Sequence, residues 1–319
     1  MPMLHRRLAG EDPMRPWMAY GLCFIGVCGH ASSEFVAKIA ATPGPEFTVW
    51  RFMIGGLCLI ALSQIWPGQR DLITPLRERG LQIIGLSWAG MASGQLLFHW
   101  GLDFTSVVQV ATMVTTMPIF VVLVDRVINK TPMTKPKLVS GFGAFAGVAF
   151  LLSNSVEADL SFDLNDLIGT LMALCCGLLG AIYLVLAKPL VQAYGPVRMT
   201  TYSFALGFFY IYTVVGLGWG IWVDPLSLAE KQPIQILGIL TIGIWNTCIG
   251  FAVWLAGLAA APDSQRANYL FFLKPVIAAG LAVAILGDTL SLMQVLAILV
   301  ICFCVGLEYI WTTRLARKG

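Results

Sequence analysis

The feature that most constrains this chain is a run of apolar residues, long enough to cross a bilayer, that recurs along the whole sequence. A helix needs about 20 apolar residues to span the hydrocarbon core. Ten segments meet that length: 17–39, 47–66, 81–101, 105–126, 137–153, 165–190, 198–222, 234–259, 266–286 and 292–313. None alternates as a strand would, so they read as helices and not as a barrel. A soluble fold is excluded on composition. Of 319 residues 58% are hydrophobic and 12% charged, against about 25% charged in soluble domains. The links are short and marked by turn chemistry, as at Thr42-Pro43-Gly44-Pro45, Pro67-Gly68, Gly195-Pro196 and Pro262-Asp263-Ser264. The first segment follows Arg6 and Arg7, as a cleaved signal would. It is full length and carries Glu34 and Lys38, and Ala31-Ser32-Ser33 lies inside it, so it is expected to be retained.

Charge placement orients the segments. Arg6, Arg7, Arg15, Arg70, Arg77, Arg79, Arg126, Lys130, Lys135, Lys137, Lys188, Arg198, Arg266, Arg314, Arg317 and Lys318 fall at one set of alternate segment ends. The opposite loops hold Lys231 and the acids Glu157, Asp159, Asp163 and Asp166, with Lys38 and Arg51 inside segments near that side. The basic side is expected to be the cytoplasm and both termini to lie there. The expected location is the inner (plasma) membrane.

Two stretches of the chain read alike. Gly101-Leu102, Thr105-Ser106, Pro118 and Asn129 to Thr134 are echoed by Gly257-Leu258, Asp263-Ser264, Pro275 and Gly287 to Ser291. Pro118 to Thr134 and Pro275 to Ser291 are both separated by 16 positions. Five segments per unit is an odd number, so the second unit should enter the membrane from the opposite side. Such inverted repeats place a substrate site at their interface near the midplane. The expected fold class is therefore an all-α polytopic membrane protein of ten transmembrane helices in two inverted five-helix repeats. Its divisions are a tail at 1–16, repeats at 17–153 and 165–313, an extracytoplasmic linker at 154–164 and a tail at 314–319.

Several local features resemble the drug/metabolite transporter superfamily in its EamA-type, ten-helix branch. They are Gly29 through Lys38, Pro45-x-Phe47-x-x-x-Arg51, Gly101-Leu102-x-x-Thr105-Ser106, Pro118, Gly195-Pro196, Leu273-Lys274-Pro275-Val276 and Gly287-Asp288-Thr289-Leu290-Ser291. The resemblance implies a secondary transporter. Lys274 departs from the pattern, since an acid often precedes that proline in the family.

Ionisable residues inside a membrane are functional candidates, because insertion disfavours them by roughly 2.5–3.5 kcal/mol. His30, Glu34 and Lys38 recur every fourth residue on one stripe of the first segment. Lys38 and Arg51 also read as interface anchors. Lys274 lies about eight residues into the ninth segment, roughly 12 Å along a helix, and needs a partner such as Glu34. Pro275 has no N–H, which should leave the Phe271 carbonyl free. His99 and Asn246 read as either packing or ligand contacts. Trp88, Trp100, Trp245 and Trp254 are candidates to line a cavity, whereas Trp17, Trp50, Trp66, Trp219, Trp222 and Trp311 read as an interface belt.

The eight cysteines sit within apolar runs and read as small buried hydrophobes. Neither HExxH nor CxxC nor a phosphate loop occurs, so no metal, no cofactor and no enzyme activity is expected. Nothing points to nucleic acid. The expected partners are a small-molecule substrate, the lipid bilayer and, for coupling, protons, with the chain a monomer or homodimer. The leading expectation is export of small polar metabolites such as amino acids or related carboxylates by alternating access. The alternative is proton-coupled efflux of hydrophobic cations with Glu34 as the coupling carboxylate.

Overall fold

The computed structural model describes residues 14–65, 67–105, 107–133, 135–153 and 164–281, and scattered positions from 292 to 311. Every regular element among the described residues is helical. The helices are α1 (Pro16–Ala40), α2 (Gly44–Ile65), α3 (Thr74–Gly101), α4 (Val107–Val114), α5 (Met117–Asn129) and α6 (Lys135–Ser153). They continue as α7 (Leu164–Tyr194), α8 (Pro196–Trp219), α9 (Pro233–Ala260), the short α10 (Ser264–Asn268) and α11 (Lys274–Leu281). Six of these, α1, α2, α3, α7, α8 and α9, are long and apolar enough to cross a membrane.

The fourth and ninth sequence segments are not continuous helices. The fourth breaks at Thr115-Thr116, just before Met117-Pro118. The ninth runs through α10, tightens to a 3₁₀ stretch over Tyr269–Leu273, and resumes as α11 at Lys274-Pro275. Proline explains both interruptions: it removes a donor and clashes with the preceding turn. The freed carbonyl expected at Phe271 is not free, because the 3₁₀ geometry brings the Lys274 N–H back onto it. The two N-terminal and C-terminal tails and the 154–164 linker fall almost wholly outside the described residues, and so does most of the tenth segment.

The two halves share an unusual backbone feature. Both α3 and α9 pass through a π-helical stretch, Leu86–Ala92 and Ile242–Phe251. Their starts are 156 residues apart, the offset that also separates Gly101 from Gly257. π-Turns are rare and collect at functional sites. In each stretch a hydroxyl reaches back five residues, though not from equivalent positions: Ser93 Oγ donates to the Trp88 carbonyl (3.0 Å) and Thr247 Oγ1 to the Ile242 carbonyl (2.7 Å).

Packing follows the same pairing. Helix α1 lies along α9, α7 lies along α3, and α2 packs on α8 between them. Lipid tails supply no hydrophobic drive for helix association, so close approach of backbones matters. A Cβ on Gly26 of α1 would collide with Trp254 Cβ on α9. A Cβ on Gly44 would meet the His99 carbonyl oxygen, so the start of α2 lies directly against the end of α3. There the Asp103 carboxylate accepts the Gly44 N–H (2.9 and 3.1 Å), pinning a helix N-terminus that has no internal partner. Burial pushes the Asp103 carboxyl up, opposed by that bond.

Candidate functional site

A cavity of about 50 Å³ lies between the two halves. Repeat-equivalent positions face it from both sides: Gln95 and Phe251, Phe98 and Trp254, Met117 and Lys274. The first two pairs are 156 residues apart and the third 157. The halves have diverged in chemistry at the third pair, where Met117 of the first half stands opposite Lys274 of the second.

Lys274 opens α11 at the end of the 3₁₀ stretch, and Glu34 lies on α1. Both are buried, and Lys274 Nζ donates to Glu34 Oε1 in an ion pair. The ammonium also lies 5.4 Å from the Phe98 ring centre and 5.5 Å from that of Phe271, an arrangement that favours a cation. The Ser33 hydroxyl has one proton to give, either to the His30 carbonyl (2.7 Å) or to Glu34 Oε2 (3.1 Å). Lys274 lines the cavity and Glu34 stands behind it. His30 lines it too, wedged edge-on between Phe251 (4.4 Å between ring centres) and Trp254 (4.7 Å). Among the described residues neither His30 Nε2 nor Trp254 Nε1 has a hydrogen-bond partner.

Arg51, expected as either an interface anchor or a functional group, is a fully buried cavity residue. Its Nε donates to Thr247 Oγ1 (3.0 Å), its Nη1 to His99 Nε2 (3.2 Å), and its guanidinium faces the rings of Phe251 (5.5 Å) and Phe204 (6.0 Å). Because an arginine only donates, His99 Nε2 must accept, so His99 carries its proton on Nδ1. That proton goes to Thr48 Oγ1 (2.9 Å), whose own goes to the Gly44 carbonyl (2.7 Å). Among the described residues every hydrogen-bond partner of Arg51 is neutral. Its counter-ion is therefore not a contacting carboxylate.

His99 lines a different space, a chamber of about 380 Å³ between the ends of α1, α2 and α3, with Lys38 and Asp103 at its wall. The His99–Arg51 bond thus separates this chamber from the central cavity. At the opposite end lies a third chamber of about 40 Å³, closed by a polar network. Gln265 gives its amide N–H to Asp125 Oδ2 (2.6 Å) and takes one from Lys137 Nζ (2.6 Å), which also pairs with Asp263 (3.0 Å). Burial pushes the Asp263 carboxyl up, but the Arg266 N–H and Lys137 outweigh it and hold it below its ordinary value.

Several sequence candidates lie elsewhere. Asn246 is buried and donates to the Gly29 carbonyl and to Ser32 Oγ (3.0 Å), so it bridges α9 to α1. Trp245 and Trp88 are part-exposed, their indoles donating to Ser32 Oγ (3.1 Å) and the Leu206 carbonyl (3.0 Å). Trp100 packs on Trp219 at 4.6 Å. Trp254 is the one member of that group on the central cavity. Trp50, expected in the interface belt, is fully buried, with Nε1 donating to Glu46 (3.1 Å). A helical wheel drawn for α2 alone has no means of showing that its start packs on the end of α3 and that Lys231 pairs with Glu46 at 2.7 Å.

Comparison with known proteins places this architecture. The sequence profile of the EamA-like transporter family matches twice, over residues 17–153 and 167–308. The uncharacterized transporter YyaM of Bacillus subtilis is 26% identical over 263 residues, covering 79% of this chain and 80% of that protein. An uncharacterized transporter of Clostridium kluyveri is 23% identical over 287 residues, covering 85% and 86%. One of Archaeoglobus fulgidus is 24% identical over 222 residues, covering 70% and 73%. A solved crystal structure superposes with a TM-score of 0.78 at 16% identity, over 94% of this chain and 99% of that one, and shows the shared fold. With both halves matched and more than two thirds of each relative covered, the chain is a multi-pass membrane protein that belongs to the EamA-like transporter family.

Proposed function

We propose that the protein is a secondary transporter that exports small amino acids or related carboxylates by alternating access around the central cavity. The observation that carries this reading is the charge of the cavity wall. Two cations, Lys274 and Arg51, face it, and one carboxylate, Glu34, stands behind it. Among the described residues the Arg51 guanidinium hydrogen-bonds only to neutral partners. A buried cation without a contacting counter-ion favours an anionic guest, and the unpaired Trp254 N–H adds a donor. The substrate carboxylate takes Arg51 and competes with Glu34 for Lys274. The freed Glu34 then receives the substrate ammonium. The same surplus of positive charge repels a hydrophobic cation, the alternative substrate class.

The test is a counterflow screen in proteoliposomes, with amino acids, their deaminated acids and tetraphenylphosphonium as substrates. Amino acids are expected to exchange and the phosphonium is not. Lys274→Ala is expected to abolish exchange, with Lys274→Arg a poor rescue because the planar fork has another shape. Exchange of the phosphonium by the wild type, or unchanged apparent affinity in Lys274→Ala, overturns the reading.

A further inference from the structure

The chamber closed by the Gln265 network has a feature that gate closure does not explain. Asn268 is buried to within 1% and lines this chamber, yet among the described residues neither its amide nitrogen nor its amide oxygen has a partner. Buried amides are nearly always paired, because desolvation without a bond is costly. Ser264 and Asn268 are four residues apart on α10 and share a face. Ser264 holds the Lys188 ammonium through its hydroxyl (2.9 Å), and among the described residues no carboxylate reaches Lys188. Asp125 of α5 also lines the chamber, its Oδ2 accepting the Gln265 amide and its Oδ1 that of Asn129 (2.6 Å each). A cation held by a neutral group, a carboxylate and an idle amide therefore line one space, and the rest of its wall is aliphatic.

We infer that this chamber is a second binding site for a small zwitterion, an α-amino acid with a short aliphatic side chain, occupied before or after the central cavity. The carboxylate pairs with Lys188, the ammonium with Asp125, and the Asn268 amide bonds to one or both. The side chain lies on the aliphatic wall. The space now open holds a few water-sized bodies, which a ligand of alanine's size displaces as Ser264 releases Lys188. Leu184 lines both this chamber and the central cavity and stands between the two sites. The distribution of basic residues assigns this end to the cytoplasm, so an exported molecule meets this site first. The inference rests on the reading of the protein as an amino-acid transporter, and deepens it.

The experiment is equilibrium binding of radiolabelled L-alanine to the purified full-length chain, with propionate and ethylamine as competitors. Two molecules are expected per wild-type chain, and each competitor, lacking one charge, should displace only weakly. Asn268→Leu, close in shape, is expected to bind one. Lys188→Gln should do the same and keeps the test open if the first variant does not fold. Lys274→Ala should lose the other molecule. A wild type that binds one L-alanine, lost in Lys274→Ala and kept in Asn268→Leu, overturns the second site and leaves the transporter reading standing. Two molecules retained in either folded chamber variant also overturn it, the amide then being satisfied by water. No binding of L-alanine to the wild type removes both.

Discussion

Lys274 and Glu34 lie 240 positions apart in sequence and share one buried ion pair, which sets how each responds to substitution. Removing one member of such a pair strands the other, at a cost of about 3–5 kcal/mol, whereas replacing both by neutral groups is often harmless. Lys274→Ala is therefore expected to lower the thermal unfolding midpoint in detergent, and Lys274→Met with Glu34→Gln to recover most of it. The double variant should still fail to transport. Recovery of stability without recovery of exchange separates the structural part of the pair from its functional part. Asp71, in the link before α3, is a simpler case. It accepts from Thr74 and from the Ile73 N–H, which holds its carboxyl down at about 2 from an ordinary 3.8. A depressed folded value means stabilisation that is complete above the unfolded value and lost as pH falls through the folded one. The difference in stability between wild type and Asp71→Ala should thus be constant at neutral pH, shrink below about 4 and vanish near 2. A difference that persists at the acid end would refute the role given to these bonds.

At the level of elements, the π-stretches set where side chains point. The hydroxyl of Thr247 donates to the Ile242 carbonyl and accepts from Arg51, so one side chain ties the altered helix to the buried cation. Thr247→Val keeps the shape but leaves the guanidinium nitrogen unpaired. A hydrogen bond to a charged group contributes about 1.5–3 kcal/mol, and a loss of that order is expected in chemical unfolding, with Thr247→Ser near wild type. Equal loss in both variants would show that packing and not the hydroxyl matters. The proline breaks in the fourth and ninth segments act in the same way. They end one helix and begin another at Met117 and Lys274, and both new starts face the cavity.

On the scale of the whole molecule, two chambers of about 380 and 40 Å³ lie at opposite ends of a central cavity of about 50 Å³. The small one is closed by Lys137, Asp125, Asp263 and Gln265. Lys137→Met cuts the ion pair and one amide bond together, so it should raise the reactivity of a cysteine placed at Val185 toward a thiol reagent. Unchanged reactivity would mean that the network does not hold that end shut. Orientation is tested separately. A reporter fused within 154–166 is expected to read outside the cytoplasm, and a cytoplasmic signal would remove both the topology and the inversion of the repeat.

The sequence by itself determined the solvent, the helical class and the twofold division, because each rests on local or additive properties. Apolar run length decides whether a segment partitions into lipid, and the echo of Gly101-Leu102 in Gly257-Leu258 survives in one dimension. It also singled out Lys274 and Glu34, since a charge in an apolar run is visible without knowing its neighbours. Which of the candidates meet was decided only by the tertiary structure. Arg51 looked like an anchor because its place near a segment end is what the sequence records. Its burial depends on α3 and α9 closing over α2, at contacts up to 196 positions away. Asn246 and Trp245 turned toward α1 because a π-helical stretch shifts the angle at which side chains leave α9, and no residue pattern reports that shift. The Phe271 carbonyl was satisfied for a like reason: the chain before Pro275 tightened to 3₁₀ and supplied the donor that proline lacks. Pairing in a bundle is a property of facing surfaces, and faces are fixed by helix phase, which a single π or 3₁₀ turn resets.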